Sequence, residues 1–290
     1  MQNGVTTALN KIAKFLKLID FSHSLFGLPF AYLGAILAAG AIPGFYHLFW
    51  ITIAMIAART AALCLNRLID RHIDKANPRT AGWILPSGQL PLGVIWLAVF
   101  LCLGLLMLAA AKLNPLCLQL APLAVIVLWG YSYTKRFTWW CHLILGIAIG
   151  SGTVGAWIAI SGTLDWQPLL LGMAVACWIA GFDSMYACQD IEFDRANNLH
   201  SIPARFGEIG ALRFSALFHF FTVIFLIANG LVLQLGWFYF MGVAVAGAIL
   251  TYEHIIVKPG NLSRVNFASF KINHYVGLII FAAAMMDILV

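Results

Sequence analysis

The chain has 290 residues, 62% of them hydrophobic and 10% charged, with a mean hydropathy of +0.91. A soluble domain carries about 25% charged residues, so this chain cannot cover itself with polar groups and lipid must do so. The formal net charge of +6 points to a membrane surface rather than nucleic acid, because the basic residues gather in the loops of one side.

Nine hydrophobic segments follow in order: 21–41, 47–66, 91–111, 115–134, 138–160, 168–189, 210–229, 232–254 and 269–289. Each is close to the roughly 20 residues that a bilayer-spanning helix needs. The runs are continuous rather than alternating, which excludes a transmembrane β-barrel. Lys11, Lys14 and Lys17 precede the first run, which is too long for the apolar stretch of a cleavable signal, about 7–15 residues. Breaks fall at Ile42-Pro43-Gly44, Asn114-Pro115, Ser161-Gly162, Asn229-Gly230 and Lys258-Pro259-Gly260, all helix-stopping combinations. Ten Trp, eight Tyr and 21 Phe fit interfacial anchors. The six cysteines (Cys64, Cys102, Cys117, Cys141, Cys177, Cys188) form no C-x-x-C pair and read as small buried residues.

Nine spans put the termini on opposite sides. The N-terminus and the loops after segments 2, 4, 6 and 8 hold 15 of the 17 Lys and Arg; the exceptions are Lys112 and Arg59. That side is expected to be cytoplasmic. Its longest loops follow segments 2 and 6, so function is expected there. The expectation is an all-α integral membrane protein, nine transmembrane helices around a central cavity, with a cytoplasmic N-terminus and one domain over 1–290.

Six of the 11 acidic residues fall in two clusters: Asp70 and Asp74, then Asp183, Asp190, Glu192 and Asp194. Segment 2 ends in Asn66-x-x-x-Asp70-x-x-x-Asp74, and segment 6 in Tyr186-x-x-x-Asp190-x-x-x-Asp194. A spacing of four puts side chains on one helical face, where like charges repel unless a cation lies between them. Such hard oxygen donors suit Mg²⁺ shared with phosphate. The clusters lie 120 residues apart (190 − 70), which suggests a weak internal repeat whose two copies face one cavity. Helix-end carboxylates can also simply mark the water boundary, but two matched clusters on one side argue against that. Asp183 continues the second face inward, where a carboxylate in the bilayer is a functional candidate. Arg79, Lys135, Arg136 and Arg195 are candidate partners for phosphate oxygens. Arg59, seven residues before Asn66, is expected to pair with a carboxylate of the protein or a ligand.

These residues resemble the UbiA superfamily of membrane prenyltransferases. Its first motif, N-D-x-x-D-x-x-x-D, is matched at Asn66, Asp70 and Asp74, followed by Arg79-Thr80 and Leu85-Pro86-Ser87-Gly88. Its second, D-x-x-Y-x-x-x-D-x-x-x-D, is matched at Asp183, Tyr186, Asp190 and Asp194. The run Tyr131–Arg136 is similar to its Y-P-x-x-K-R loop. Arg67 replaces the family's second-position Asp, His200-Ser201 its Lys-Ser, and Ser132 its loop proline. Asn66-Arg67 with Asn77-Pro78-Arg79-Thr80 is similar to the 4-hydroxybenzoate polyprenyltransferase-like subgroup, some members of which serve menaquinone synthesis by the futalosine route.

The resemblance implies an enzyme of the inner membrane in quinone biosynthesis that moves a polyprenyl group from polyprenyl diphosphate to a small aromatic acid. It implies Mg²⁺ on Asp70, Asp74, Asp190 and Asp194, with Arg79, Lys135, Arg136, Tyr186 and Arg195 around the substrate. Asp183 or Asp190 would orient the phenol or take its proton, Arg59 would hold the acceptor's carboxylate, and Asn66 would orient it or a diphosphate oxygen. A CDP-alcohol phosphotransferase would carry D-G-x-x-A-R, which is absent. A transporter would place its ionisable groups near the midplane, whereas most of these lie at one face.

Overall fold

Helix boundaries fall where the sequence supplies stops and caps. The computed structural model describes residues 12–19 and 27–290. Helix α1 (Leu28–Ala39) carries Pro29 in its first turn and ends at Gly40, whose φ is +60°. Helix α2 (Phe45–Ala76) is followed by α3 (Leu92–Leu113) and α4 (Pro115–Gly130). Asn114 opens α4 by accepting from the Cys117 amide at 2.8 Å, a standard N-cap bond. A 3₁₀ turn (Tyr131–Arg136) leads to α5 (Cys141–Ser161), and α6 (Gln167–Tyr186) comes next. Ser201 caps α7 (Ile202–Val232) by accepting from the Ala204 amide at 3.2 Å. Helix α8 (Trp237–Ile256) starts against α9 (Asn273–Leu289): Asp287 accepts from the Phe238 and Tyr239 amides at 3.2 and 2.9 Å. Among the described residues the only β pairing is an isolated bridge, Lys258 to Asn261.

Among the described residues eight helical stretches are long and apolar enough to cross a membrane: α2, α3, α5, α7 and α8, and α4, α6 and α9 together with the turns and short helix that adjoin them (Pro115–Arg136, Gln167–Ala196, Phe267–Leu289). The ninth predicted span rests on 21–41, whose first residues, like Lys11, lie outside the described residues; α1 is its described part, 12 residues long. All six cysteines are free.

Helix α2 runs past its hydrophobic segment to Ala76, carrying Asn66, Asp70 and Asp74 on one helix as their spacing requires, and two other boundaries depart from expectation. Residues 67–76 contain no Gly or Pro, so nothing breaks the helix until Asn77 precedes Pro78. Helix α6 ends at Tyr186 and gives way to a 3₁₀ turn (Ala187–Asp190) and a short helix (Ile191–Ala196). The two acidic clusters therefore differ: the first stands on a continuous helix and the second on a bent one. Helix α7 begins at Ile202 rather than 210, kinked at Gly207, whose φ of +72° suits a residue without Cβ.

Packing centres on α6, held between α5 and α7. Gly146 and Gly150 of α5 touch the backbone of α6, where an added Cβ would collide with the carbonyls of Ala176 and Gly172. Such small-residue contacts let membrane helices approach closely. One core cluster joins α1, α6, α8 and α9 through Phe30, Trp178, Tyr239, Leu250 and Ile280. Another joins α2 to α3 through Cys64, Leu65, Ile95 and Val99. Residues of α2, α4, α5 and α6 line a cavity of about 960 Å³.

Candidate active site

The cavity changes character along its length. Met55, Leu128, Leu145, Ile149 and Met173 make an apolar lumen. At the other end stand Asn66, Asp70, Asp74, Arg79, Lys135, Asp183, Tyr186, Asp190 and Asp194. The two sequence motifs, remote in the chain, therefore meet at one polar cap. Arg59 lines the same cavity from α2.

Continuous α2 stacks the first motif as a spacing of four requires. Asn66 Nδ2 donates to Asp70 Oδ2 at 3.0 Å. The 3₁₀ turn after α4 brings two cations to Asp70. Lys135 Nζ lies 2.7 Å from Oδ2, and Arg136 Nη2 lies 2.9 Å from Oδ1. Arg136 also donates to the Ile69 and Ser132 carbonyls, which locks its guanidinium behind Asp70 rather than in the cavity wall. Asp74 is buried; its Oδ2 accepts no hydrogen bond, and Arg67 Nη1 is 4.0 Å away. The Arg67 guanidinium lies 4.1 Å from the Trp83 ring centre, a cation–π contact.

The bridge between motifs comes from the loop after α2. Asn77 Oδ1 accepts from the Arg79 amide at 2.9 Å, and Nδ2 donates to Asp190 Oδ1 at 2.9 Å. Arg79 then forks onto Asp190: Nε donates to Oδ1 at 2.8 Å and Nη2 donates to Oδ2. Its Nη1 donates to the Tyr186 hydroxyl at 2.9 Å. Burial pulls the Arg79 guanidinium down, but the bonds to Asp190 and Tyr186 outweigh it and leave its pKa above the ordinary value. Arg79 is therefore a permanent cation between the two motifs. Asn77 carried no sequence signal beyond its place in the Asn77–Thr80 run; its fold-bridging role arises from the loop.

Asp194 reaches the same cap, with Oδ2 accepting from Ser201 Oγ at 2.8 Å. The His200 amide donates to the Lys135 carbonyl at 2.6 Å, which ties the loop of the second motif to the Lys135 turn. Arg195 is a correction. It does not line this cavity but a smaller one of about 300 Å³ with Trp139, His200 and Arg205. Its Nε donates to the Ala204 carbonyl at 2.7 Å. Neighbouring positions on a helix point about 100° apart, so with Asp194 turned inward, Arg195 turns away. Asp183 is bonded to a residue the motifs do not include: Oδ2 lies 2.7 Å from His142 Nδ1.

Among the described residues no three His, Cys, Asp or Glu side chains gather closely enough to hold a metal ion. Lys135 and Arg136 balance Asp70, and Arg79 balances Asp190. The donor chemistry nonetheless fits a hard divalent cation: four carboxylates ring the polar cap, and the buried Asp74 Oδ2 lacks a hydrogen bond. The arrangement can grip a diphosphate through several cations while an apolar chain fills the lumen.

Comparison with known proteins bears on this geometry. The model of the UbiA prenyltransferase family matches residues 27–275. The 4-hydroxybenzoate octaprenyltransferase of Francisella tularensis subsp. novicida (strain U112) is 30% identical over 254 residues, 87% of this chain and 88% of the relative. The apo structure of a UbiA homolog from Aeropyrum pernix K1 superposes with a TM-score of 0.84 at 34% identity, covering 92% of this chain and 98% of that one. A UbiA homolog from Archaeoglobus fulgidus, solved with DMAPP and Mg²⁺, shares the fold at a TM-score of 0.63 and 21% identity, covering 92% and 99%.

Proposed function

The chain belongs to the UbiA prenyltransferase family, and we propose that it transfers a polyprenyl group from polyprenyl diphosphate to a small aromatic acid such as 4-hydroxybenzoate. The observation that carries this reading is one cavity with an apolar lumen and a cap of four carboxylates and matched cations. The active end faces the cytoplasm of the inner membrane, because the basic loops lie on that side, and residues 1–290 act as one domain.

Chemistry follows from what each part can hold. The prenyl tail lies along Met55, Leu145 and Ile149, and its diphosphate lies in the cap. Lys135 and Arg79 bind the phosphate oxygens, with Arg136 supporting Asp70 from behind and Tyr186 holding Arg79 in place. Mg²⁺ on Asp70, Asp74, Asp190 and Asp194 would neutralise the diphosphate and make it a better leaving group. Cleavage of the C–O bond leaves an allylic cation in the lumen. Apolar walls keep water from quenching it.

The acceptor ring attacks C1 of the prenyl chain and then loses a proton. Arg59 holds the acceptor's carboxylate as a permanent cation, and Asn66 orients the acceptor or a diphosphate oxygen. Of the two candidate carboxylates, Asp183 takes the proton. Asp190 is engaged by Asn77 and Arg79 on both oxygens, whereas Asp183 commits Oδ2 to His142 and keeps Oδ1 for a ligand. A second acceptor, a dihydroxynaphthoate of futalosine-route menaquinone synthesis, rests on the resemblance of Asn66-Arg67 and Asn77–Thr80 to a subgroup some members of which serve that route. The test supplies labelled polyprenyl diphosphate with either 4-hydroxybenzoate or 1,4-dihydroxy-6-naphthoate, with and without Mg²⁺. Prenylated product from one acceptor is expected. Movement of intact diphosphate across a vesicle without cleavage would overturn the proposal in favour of transport.

A further inference from the structure

The first residues of α5 lie outside both motifs, yet one of them touches the proposed proton acceptor. We infer that His142 is a positioning residue for the ring-prenylation step, fixing the Asp183 carboxylate toward the acceptor. The inference rests on the proposed role of Asp183.

Its basis is geometric. His142 is 5% exposed, the second residue of α5, and lines the cavity. Its Nδ1 is 2.7 Å from Asp183 Oδ2. An ionised carboxylate only accepts hydrogen bonds, so Nδ1–H is the donor and the proton sits on that nitrogen. Nε2 is buried and has no hydrogen-bond partner. Nδ1 is thereby committed to this one carboxylate. Asp183 keeps 29% of its side chain exposed, so its second oxygen is reachable.

Without the imidazole, nothing else seen to bond Asp183 would choose its rotamer. The place of His142 is itself held from the phosphate end. The adjacent Cys141 Sγ donates to the His200 carbonyl at 3.3 Å, and the His200 amide donates to the Lys135 carbonyl. The turn carrying Lys135 and the imidazole that aims Asp183 are therefore joined through one short loop. A proton acceptor must be within hydrogen-bond reach of the proton it removes, and this linkage sets that reach relative to the diphosphate.

The test uses the full-length enzyme in detergent or vesicles, with His142→Ala, His142→Asn and His142→Gln. Asn places a side-chain N–H where Nδ1 stands, and Gln places one nearer Nε2. His142→Ala should lower kcat about 10- to 100-fold, the cost of a misplaced group. The KM for polyprenyl diphosphate should stay within about twofold, because no phosphate contact is lost. His142→Asn should recover to within about fivefold of wild type by restoring one hydrogen bond, and His142→Gln should not. A wild-type kcat in His142→Ala, or equal rates in the Asn and Gln variants, would overturn the inference. Asp183→Asn separates the two readings. If it is inactive while His142→Ala is normal, only the positioning role fails. If Asp183→Asn keeps full turnover, the proton-acceptor reading fails and the positioning role with it.

Discussion

Removing the Asn77 side chain is expected to uncouple the two halves of the active end. Asn77 is 7% exposed and makes two bonds, one to the Arg79 amide and one to the Asp190 carboxylate. A neutral bond contributes about 0.5–1.5 kcal/mol and a bond to a charged group about 1.5–3. Burial means that solvent does not replace either bond well, so Asn77→Ala is expected to cost about 2–4 kcal/mol. If both bonds persist through the reaction, that is roughly a thirty- to thousandfold loss in kcat/KM, at about 1.4 kcal/mol per tenfold. Asn77→Asp gives a sharper result. It keeps an acceptor for the Arg79 amide but sets a second carboxylate against Asp190, so its activity should fall below that of Asn77→Ala. The assay is prenyl transfer by purified protein at saturating acceptor, alongside thermal unfolding in the same detergent. Activity of Asn77→Ala within threefold of wild type, or of Asn77→Asp above Asn77→Ala, would refute the bridging role.

Other expectations follow from the same geometry. Asp70→Asn and Asp190→Asn should each lower Mg²⁺-dependent diphosphate release by about a hundredfold or more; normal release in both would remove the diphosphate site. Arg59→Ala should raise the KM for a carboxylated acceptor at least tenfold, the order expected for a lost charged bond, and leave an acceptor without a carboxylate unchanged. Equal effects on both acceptors would remove its assigned role. Gly146→Ala should destabilise the bundle by about 1–3 kcal/mol through overpacking, read as a lower unfolding temperature, because its Cβ meets the Ala176 carbonyl.

Much of the architecture was legible because lipid imposes a simple rule on sequence: long apolar runs, with charge at their ends. Asn66 and Asp70 meet on one face because a helix repeats every 3.6 residues and α2 is unbroken. The second motif was legible in content but not in shape. Nothing between Tyr186 and Asp194 is Gly or Pro, so the change to a 3₁₀ turn has no local sign and depends on tertiary context. Arg195 lines the smaller cavity instead, because adjacent helix positions point about 100° apart. Asn77 and His142 were missed because each acts across more than 40 positions, on Asp190 and Asp183 respectively. The charged cap's internal pairing was equally hidden. Basic residues near acidic ones in the sequence are ordinary, and only folding showed that Lys135 and Arg136 sit on Asp70.

That internal pairing has a consequence for how the protein is handled and how it turns over. Asp70 and Asp190 have their countercharges from the chain itself, through Lys135, Arg136 and Arg79. On the proposed reaction, a chelator would silence the enzyme without unfolding it, unlike domains whose metal is part of the folding equilibrium. In the proposed reaction Asp70, Asp74, Asp190 and Asp194 would hold Mg²⁺ only while a diphosphate is bound, and Arg79 and Lys135 would return to Asp190 and Asp70 between rounds.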